Sequence, residues 1–451
     1  MARDNHYLAD SPKNDTRTGA VEMAGNRVLF GKLHGISALR LTRARFITAI
    51  FKAVSAHFRG RVGNSRQRAN PLGFSLCLAL VLLHVSGCMQ AQNGVFSSDQ
   101  LRFEVQEVVT GLNHHWGLAF LPDGDILVTE RSGRQRRVLN GTLLDLAVGG
   151  LPDITQSGQV GLLGIELHPY FERTRWVYIA YAARKGKHLN TDVLRGRLEG
   201  AQLQEVEVVF SAQPKVTGGR HFGARLLFAP DATLFISLGD RGFKPSMCRD
   251  HPAQSVRDHI GTLVRINADG SIPADNPFVN REGARPEIFT YGNRNMQGMA
   301  IHPESGRIWT HEHGPQGGDE LNIMEAGANY GWPVITYGAN YGTGSRICEG
   351  NRTMQGMQQP EYKWVPSIAP SGMAFYSGDL LSDWNGDLFV GSLKFGLLIR
   401  LELEGDRIVA EERLLDNAYG RIRDVVQGPD GALYLLTDSG KGSLLKIVPA
   451  Q

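Results

Sequence analysis

"GGRHFGARLLFAPDATLFISLGDRG", residues 218–242, has the form of a β-hairpin with charged ends. Apolar residues alternate from Arg225 to Ala229, a Pro-Asp-Ala-Thr corner follows, and a second run extends from Leu234 to Leu238. Alternation with a period of two, broken by a turn, predicts two antiparallel strands. From the turn centre at Asp231 and Ala232, His221 lies about ten residues back and Asp240 about eight forward. Pairing then brings both to the open end of the hairpin, on one rim. Two readings follow. A carboxylate beside an imidazole fixes its tautomer and stabilises its charged form, which makes a general base. The plainer reading is a loop His and a turn Asp that cap backbone groups, and the hairpin by itself favours that one.

The hairpin is not alone. "WGLAFLPDGDILVTER" begins at Trp116, "GLLGIELHPYFERTRWVYIAYA" at Gly161 and "ARLLFAPDATLFISLGD" at Ala224. "QGMAIHPESGRIWTHEHG" begins at Gln297, "SGMAFYSGDLLSDWNGDLFVGSL" at Ser371 and "RDVVQGPDGALYLLTDSG" at Arg423. Each is an apolar strand, a turn containing Pro or Gly, and a second strand rich in aromatic or β-branched residues. A hairpin cannot bury its two faces alone, and repetition at this spacing signals a propeller or a related array. Six copies predict an all-β fold, a six-bladed β-propeller with four-stranded antiparallel blades. No run reads as a long helix, and 54 glycines suit a turn-rich chain.

Radial repetition changes the odds for the His–Asp pair, because equivalent hairpin ends gather on one face. Gln159, in "SGQVGLLG", precedes its strand in the phase of His221, and so do Arg294 and Asn295 in "YGNRNMQG". Lys394, in "SLKFG", follows a second strand in the phase of Asp240, while Arg421 and Arg423 open the last hairpin. A shared mouth carrying three arginines, a lysine, an amide and a His–Asp pair invites a ligand with several carboxylates or phosphates. "HEHGPQGGDELN" has a rival reading. His311 and His313 alternate on one strand face, a spacing that suits zinc if a third ligand lies elsewhere. The Gly314-Pro315 turn, with Asp319 and Glu320 close behind, is oxygen-rich and suits Ca²⁺ better.

The chain ends set the compartment. Residues 1–70 carry 13 Lys/Arg against 4 Asp/Glu, and the remainder carries 35 against 41. The globular part is therefore mildly acidic, which removes the electrostatic footprint of a nucleic-acid binder. "PLGFSLCLALVLL", residues 71–83, is too short to span a bilayer comfortably and follows Arg66 and Arg68, as a secretory signal does. It ends in Val85-Ser86-Gly87-Cys88, which resembles the bacterial lipobox, although a simple secretory signal or an uncleaved anchor has the same outline. The expected organisation is an extension plus lipoprotein-type signal over 1–87, a tether over 88–103 and a propeller over 104–451. A lipid on Cys88 would place the protein on the periplasmic side of a bacterial envelope, at the outer membrane. Residues 1–65 are either a basic extension or the product of a start codon set too far upstream. Cys248 and Cys348 are either a disulfide or two free thiols.

With these residues in view, the stretch from about 110 to 448 resembles the soluble quinoprotein dehydrogenases. Within them it is most similar to the PQQ-dependent aldose sugar dehydrogenases related to soluble glucose dehydrogenase. The motifs that carry the resemblance, in order, are "GQVGLLG", "GGRHFGARLLF", "LGDRG", "YGNRNMQG", "HEHGPQGGDELN", "NYGWP", "SGMAFY" and "RIRDV". The resemblance implies oxidation of an aldose at C1 to the lactone, with hydride transfer to PQQ. It implies His221 as general base, Asp240 as its support, and Arg294 against the quinone oxygens with Asn295 beside it. It further implies PQQ contacts at Gln159, Tyr341, Lys394, Arg421 and Arg423. Carbonyls of Gly314 and Pro315 would hold Ca²⁺, with another Ca²⁺ site at Glu320 and the Tyr330 backbone. One departure stands out: Arg220 precedes the base where the glucose enzymes carry an Asp near the sugar, which favours an aldose reading over glucose alone. Competing classes are a Ca²⁺-dependent lactonase on the same fold and a non-catalytic propeller that binds carbohydrate or protein. The electron acceptor is unspecified, and both a monomer and a homodimer are compatible with the sequence.

Overall fold

In the computed structural model the described residues are 94–451, apart from 155 and 157. The signal segment, Cys88 and the extension before them lie outside the described residues. Among the described residues there are six antiparallel sheets, five of them built from consecutive strands. The chain folds as a six-bladed β-propeller.

The six repeated hairpins are the first two strands of the six blades. They are His115–Phe120 with Ile126–Glu130, Leu162–Leu167 with Trp176–Lys185, and Leu226–Phe228 with Thr233–Ser237. The other three are Met296–Ile301 with Ile308–Glu312, Pro370–Phe375 with Leu388–Ser392, and Ile422–Gln427 with Leu433–Thr437. First strands of neighbouring blades pack against one another, so these strands surround the axis. Second strands read as unbroken buried runs, because each is covered on both faces by adjacent blades.

The core lies between blades rather than within one. Tyr178 of the second blade packs edge-on against Phe228 of the third, with ring centroids 4.9 Å apart. Trp309 of the fourth meets Phe375 of the fifth at 5.7 Å.

The ring is closed by the two ends of the described chain. Arg102–Leu112 pairs with Gly442–Pro449, so an N-terminal strand completes the last blade. Phe103 is fully buried there and meets Trp384 at 5.3 Å. This sheet takes a fifth strand, Gly94–Ser97, which pairs with Arg102–Leu112 from within the stretch read as a tether. The extra strand covers an edge that would otherwise present unpaired backbone groups.

Cys248 and Cys348 form a disulfide, with Cα atoms 5.6 Å apart. It ties the loop after the third blade's second strand to a long loop of the fourth blade.

Candidate active site

Two adjoining cavities share the side chains of Gln159, His221 and His313, together with Ala369. One, of about 300 Å³, is lined by Arg131, Arg421 and Arg423, with Trp116, Asn295 and Asp438. The other, of about 510 Å³, is lined by loops that bring Arg220, Asp240, Phe243, Arg294, Gly314, Pro315, Trp332 and Tyr341 together. They are called here the arginine cavity and the loop cavity.

The opening hairpin supplies their shared wall. His221 Nδ1 lies 2.6 Å from Asp240 Oδ1. Asp240 is 1% exposed and fully committed: Gly242 N–H donates to Oδ1 at 2.8 Å and Trp332 Nε1 to Oδ2 at 2.8 Å. Burial alone would raise its carboxyl, but the hydrogen bond and charge of His221, together with Arg294 and Gly242 N–H, outweigh it and hold Asp240 ionised. An ionised Asp240 keeps the proton on His221 Nδ1 and leaves Nε2 as the free acceptor. Burial lowers the His221 pKa, with Arg294 and Arg220 adding to the effect and Asp240 opposing it. His221 sits at φ +53°, a backbone conformation that side-chain-bearing residues rarely adopt, and such strain collects at functional sites. Gly239 and Gly223 make the close approach of the two chain segments feasible. A Cβ at Gly239 would fall 2.3 Å from the His221 carbonyl oxygen, and one at Gly223 2.5 Å from that of Ser237.

The other residues expected at the site take distinct places. Arg294 Nη1 donates to the His313 carbonyl at 2.7 Å, and its guanidinium lies 5.2 Å from the Trp332 ring centroid. Its Nε is buried without a partner among the described residues. Asn295 accepts from Gly223 N–H at 3.2 Å, which ties the fourth blade to the base loop. Arg423 and Arg421 both donate to Asp438, at 2.9 and 3.1 Å. Tyr341 lines the loop cavity and is largely exposed. Lys394 lines neither cavity: its ammonium lies over the neighbouring Phe395 ring at 4.8 Å, while Leu393 beside it faces the arginine cavity. It stands two residues beyond the strand end at Ser392, in the turn that follows, and is exposed there.

The Gly314–Pro315 turn faces the loop cavity, and no described residue donates a hydrogen bond to either carbonyl. Gly314 N–H donates to Asp319 at 2.8 Å, and a Cβ at 314 would come within 2.2 Å of the Gly318 oxygen. Glu320 and Tyr330 line a small void of about 10 Å³ with Glu312, the cross-strand partner of Glu320. Burial raises both carboxyls, Glu312 to about 7, and Glu320 well above the ordinary carboxylate range with the neighbouring Glu312 adding to the effect. The zinc alternative is not supported. His311 is enclosed against Gly298, whose Cβ would meet its ring at 2.2 Å, whereas His313 donates to the Pro370 carbonyl at 2.7 Å. Among the described residues no three His, Cys, Asp or Glu side chains converge as a metal cluster.

Three contributors escaped the sequence reading. Arg131 follows the second strand of the first blade, lines the arginine cavity, and keeps a buried, unpartnered Nε. Asp438 follows the second strand of the last blade, the phase of Asp240, and that phase was the available signal. Trp332 lay in view within "NYGWP", but only the folded chain places its indole N–H on Asp240.

A family model described as Glucose / Sorbosone dehydrogenase matches residues 112–446. The chain belongs to that family. Aldose sugar dehydrogenase YliI of Escherichia coli strain K12 is 43% identical over 344 residues, covering 75% of this chain and 91% of that protein. A crystal structure of a glucose dehydrogenase is 45% identical, with a TM-score of 0.73, covering 77% of this chain and 99% of that one. The PQQ-bound form of an aldose sugar dehydrogenase from Streptomyces coelicolor is 29% identical with a TM-score of 0.62, covering 79% and 99%. Glucose / Sorbosone dehydrogenase membership thus spans nearly the whole propeller, both cavities included.

Proposed function

We propose that this protein is a PQQ- and Ca²⁺-dependent dehydrogenase that oxidises aldose sugars at C1 to the lactone, with His221 as general base. The observation that carries the proposal is a buried Asp240 bonded at 2.6 Å to Nδ1 of His221, a residue that lines both a loop-bounded cavity and the arginine-lined one beside it. Family membership and a PQQ-bound relative support the same reading.

The residues present fit both groups. PQQ, when bound, supplies a quinone that accepts two electrons as hydride. Arg131, Arg421 and Arg423 would neutralise its three carboxylates, and Gln159 and Asn295 would meet its polar edge. The single carboxylate on that cavity, Asp438, is paired with Arg421 and Arg423, and with Arg131 the cavity keeps a net positive charge toward an anion. The free carbonyls of Gly314 and Pro315 are hard oxygen donors suited to Ca²⁺, and buried Glu320 with Glu312 forms a second oxygen pair.

The chain's own part in the chemistry follows from the pair. A sugar whose anomeric hydroxyl reaches Nε2 gives up that proton as the C1–H bond breaks. His221 then becomes cationic, and the ionised Asp240 at 2.6 Å stabilises it. Trp332 and Gly242 keep Asp240 from turning away. Arg294, fixed by the His313 carbonyl, presents positive charge where negative charge would build on the oxidant.

The test is reconstitution. Apo-protein loaded with PQQ and Ca²⁺ should oxidise aldoses in the presence of an artificial acceptor, and chelation should abolish turnover. Full activity in rigorously quinone-free protein would overturn the reading in favour of metal-dependent hydrolysis.

A lipid anchor on Cys88 at the periplasmic face of the outer membrane is proposed from the Val-Ser-Gly-Cys motif alone. Mass spectrometry of the mature N-terminus checks it, and an unmodified chain starting elsewhere would sink it.

A further inference from the structure

Arg220 stands directly before the base and lines the loop cavity. Its backbone is held firmly. The Arg220 carbonyl accepts from Arg241, a buried arginine that also donates to the Gly218 carbonyl at 2.7 Å and packs on the Phe222 ring at 3.4 Å. Its side-chain stem rests over Gly242, where a Cβ would come within 2.8 Å of Arg220 Cδ. The bare glycine is what leaves room for the stem, beside the same N–H that holds Asp240.

The Arg220 guanidinium differs from the other cations around it. Arg241 is buried and turned onto backbone carbonyls, and Arg294 is anchored by that of His313, although each keeps a buried, unpartnered Nε. The Arg220 guanidinium has neither a hydrogen bond nor an ion pair among the described residues. The one carboxylate on the loop cavity, Asp240, has both oxygens occupied by His221, Gly242 and Trp332. An arginine fixed at its backbone, berthed along its stem and unpaired at its tip is prepared for an anion arriving from solution.

We infer that Arg220 selects aldoses carrying an anionic group, a uronate carboxylate or a sugar phosphate, over neutral aldoses. The inference rests on the proposed sugar oxidation, which brings C1 of the substrate to His221 and hence the rest of the sugar along the cavity that Arg220 lines. The carboxylates of PQQ have three arginines of their own in the other cavity, so they do not require Arg220. The aromatic rings of Phe243, Trp332 and Tyr341 line the same cavity and offer apolar faces to a sugar ring.

The experiment pairs binding with turnover. Isothermal calorimetry of the purified protein with D-glucuronate, D-glucose 6-phosphate and D-glucose, and separately with PQQ, is run on wild type, Arg220→Gln and Arg220→Glu. Charge-assisted hydrogen bonds of this kind change affinity about 10- to 100-fold. The expected result is that one or both anionic sugars bind wild type more tightly than glucose does. Arg220→Gln should then reduce the anionic-to-neutral affinity ratio about tenfold or more, and Arg220→Glu further. Whichever sugar loses more identifies the anion as carboxylate or phosphate. The ratio of kcat/KM values in PQQ- and Ca²⁺-loaded enzyme should fall in parallel, mainly through KM. An affinity ratio unchanged by Arg220→Gln overturns the inference, and so does a loss confined to PQQ binding. If the affinity ratio shifts but the loaded enzyme oxidises no sugar, the selectivity stands and the dehydrogenase reading fails.

Discussion

Two His–Asp pairs among the described residues differ in what surrounds their carboxylates. His221 and Asp240 close on each other within one hairpin, 2.6 Å apart. His114 and Asp438 meet across the seam between the last blade and the first, at 3.3 Å. In the first pair the carboxylate's other hydrogen-bond donors are neutral, an indole and a backbone N–H, with His251 Nε2 further off at 3.9 Å, and no arginine forms an ion pair with it. In the second the carboxylate is shared with Arg421 and Arg423. Exposure separates them too: the His221 side chain is 15% exposed and His114 40%. A histidine beside an aspartate is thus not a function by itself. What the carboxylate's remaining contacts neutralise decides whether the pair moves a proton or props up a cationic wall.

Breaking the first pair should give the largest effect. His221→Ala is expected to slow reduction of bound PQQ about 10²- to 10⁴-fold, the usual worth of a positioned base. PQQ affinity should hold, because its proposed charge partners are Arg131, Arg421 and Arg423. Single-turnover absorbance at matched cofactor occupancy measures this, and a near wild-type rate would make His221 structural.

Breaking the carboxylate of the second pair should move affinity rather than rate. Asp438 lies well below the usual carboxylate range: burial alone would raise it, but the charges and hydrogen bonds of Arg423 and Arg421 prevail. Asp438→Asn leaves those guanidiniums without their shared counter-charge and free to reorient. PQQ dissociation constants from titration should rise about tenfold or more, as for other charged hydrogen bonds. The step from C1 to the oxidant should change far less. A large single-turnover defect with unaltered PQQ affinity would erase the distinction between the pairs.

The contrast was only half legible in the sequence. Alternating runs with Pro or Gly turns exposed all six inner hairpins, because those strands must bury both faces and tolerate little variation in pattern. Blade phase then brought Gln159, His221, Asp240, Arg294, Asn295, Arg421 and Arg423 to the two cavities. Phase did not bring Lys394 to either cavity, since it lies two residues past the strand end at Ser392, in a turn whose local geometry, not the repeat, decides its aim. Arg131 and Asp438 were missed for the opposite reason. Their hairpin ends, "VTERSG" and "LTDSG", look like ordinary turns, and only ring closure by Arg102–Leu112 brings the last blade against the first. The disulfide was likewise undecidable from spacing, with 100 residues separating its cysteines.

The pH dependence sharpens the first pair. As the proposed base His221 would act in its neutral form, so activity should fall as pH drops through its pKa. Burial places that pKa below the ordinary 6.5, and the acid limb of single-turnover kcat/KM should therefore lie below 6.5. Asp240 raises the imidazole pKa, whereas Arg294 and Arg220 lower it. Asp240→Asn removes the only one of these that favours the proton, so the acid limb should move to still lower pH. The rate at neutral pH should fall by less than in His221→Ala. A limb that moves upward instead would mean that another group controls the profile.

The smallest effect should come from His114. Its ring is substantially exposed, and its contact with Asp438 competes with two arginines on the same carboxylate. Exposed pairs of this kind are worth at most about 1 kcal/mol, so His114→Ala should change PQQ affinity by less than about fivefold. The backbone of His114 does more than its ring. Its N–H donates to the Ser439 carbonyl at 2.9 Å, and its carbonyl accepts from Arg131 N–H at 3.1 Å. Both bonds survive the substitution, so Arg131 should stay in the arginine cavity and His114→Ala should titrate PQQ much as wild type does. A loss as large as that of Asp438→Asn would show that the imidazole itself orients Asp438. The two pairs would then be alike in needing their histidine, and the difference drawn from the carboxylates' other partners would fail.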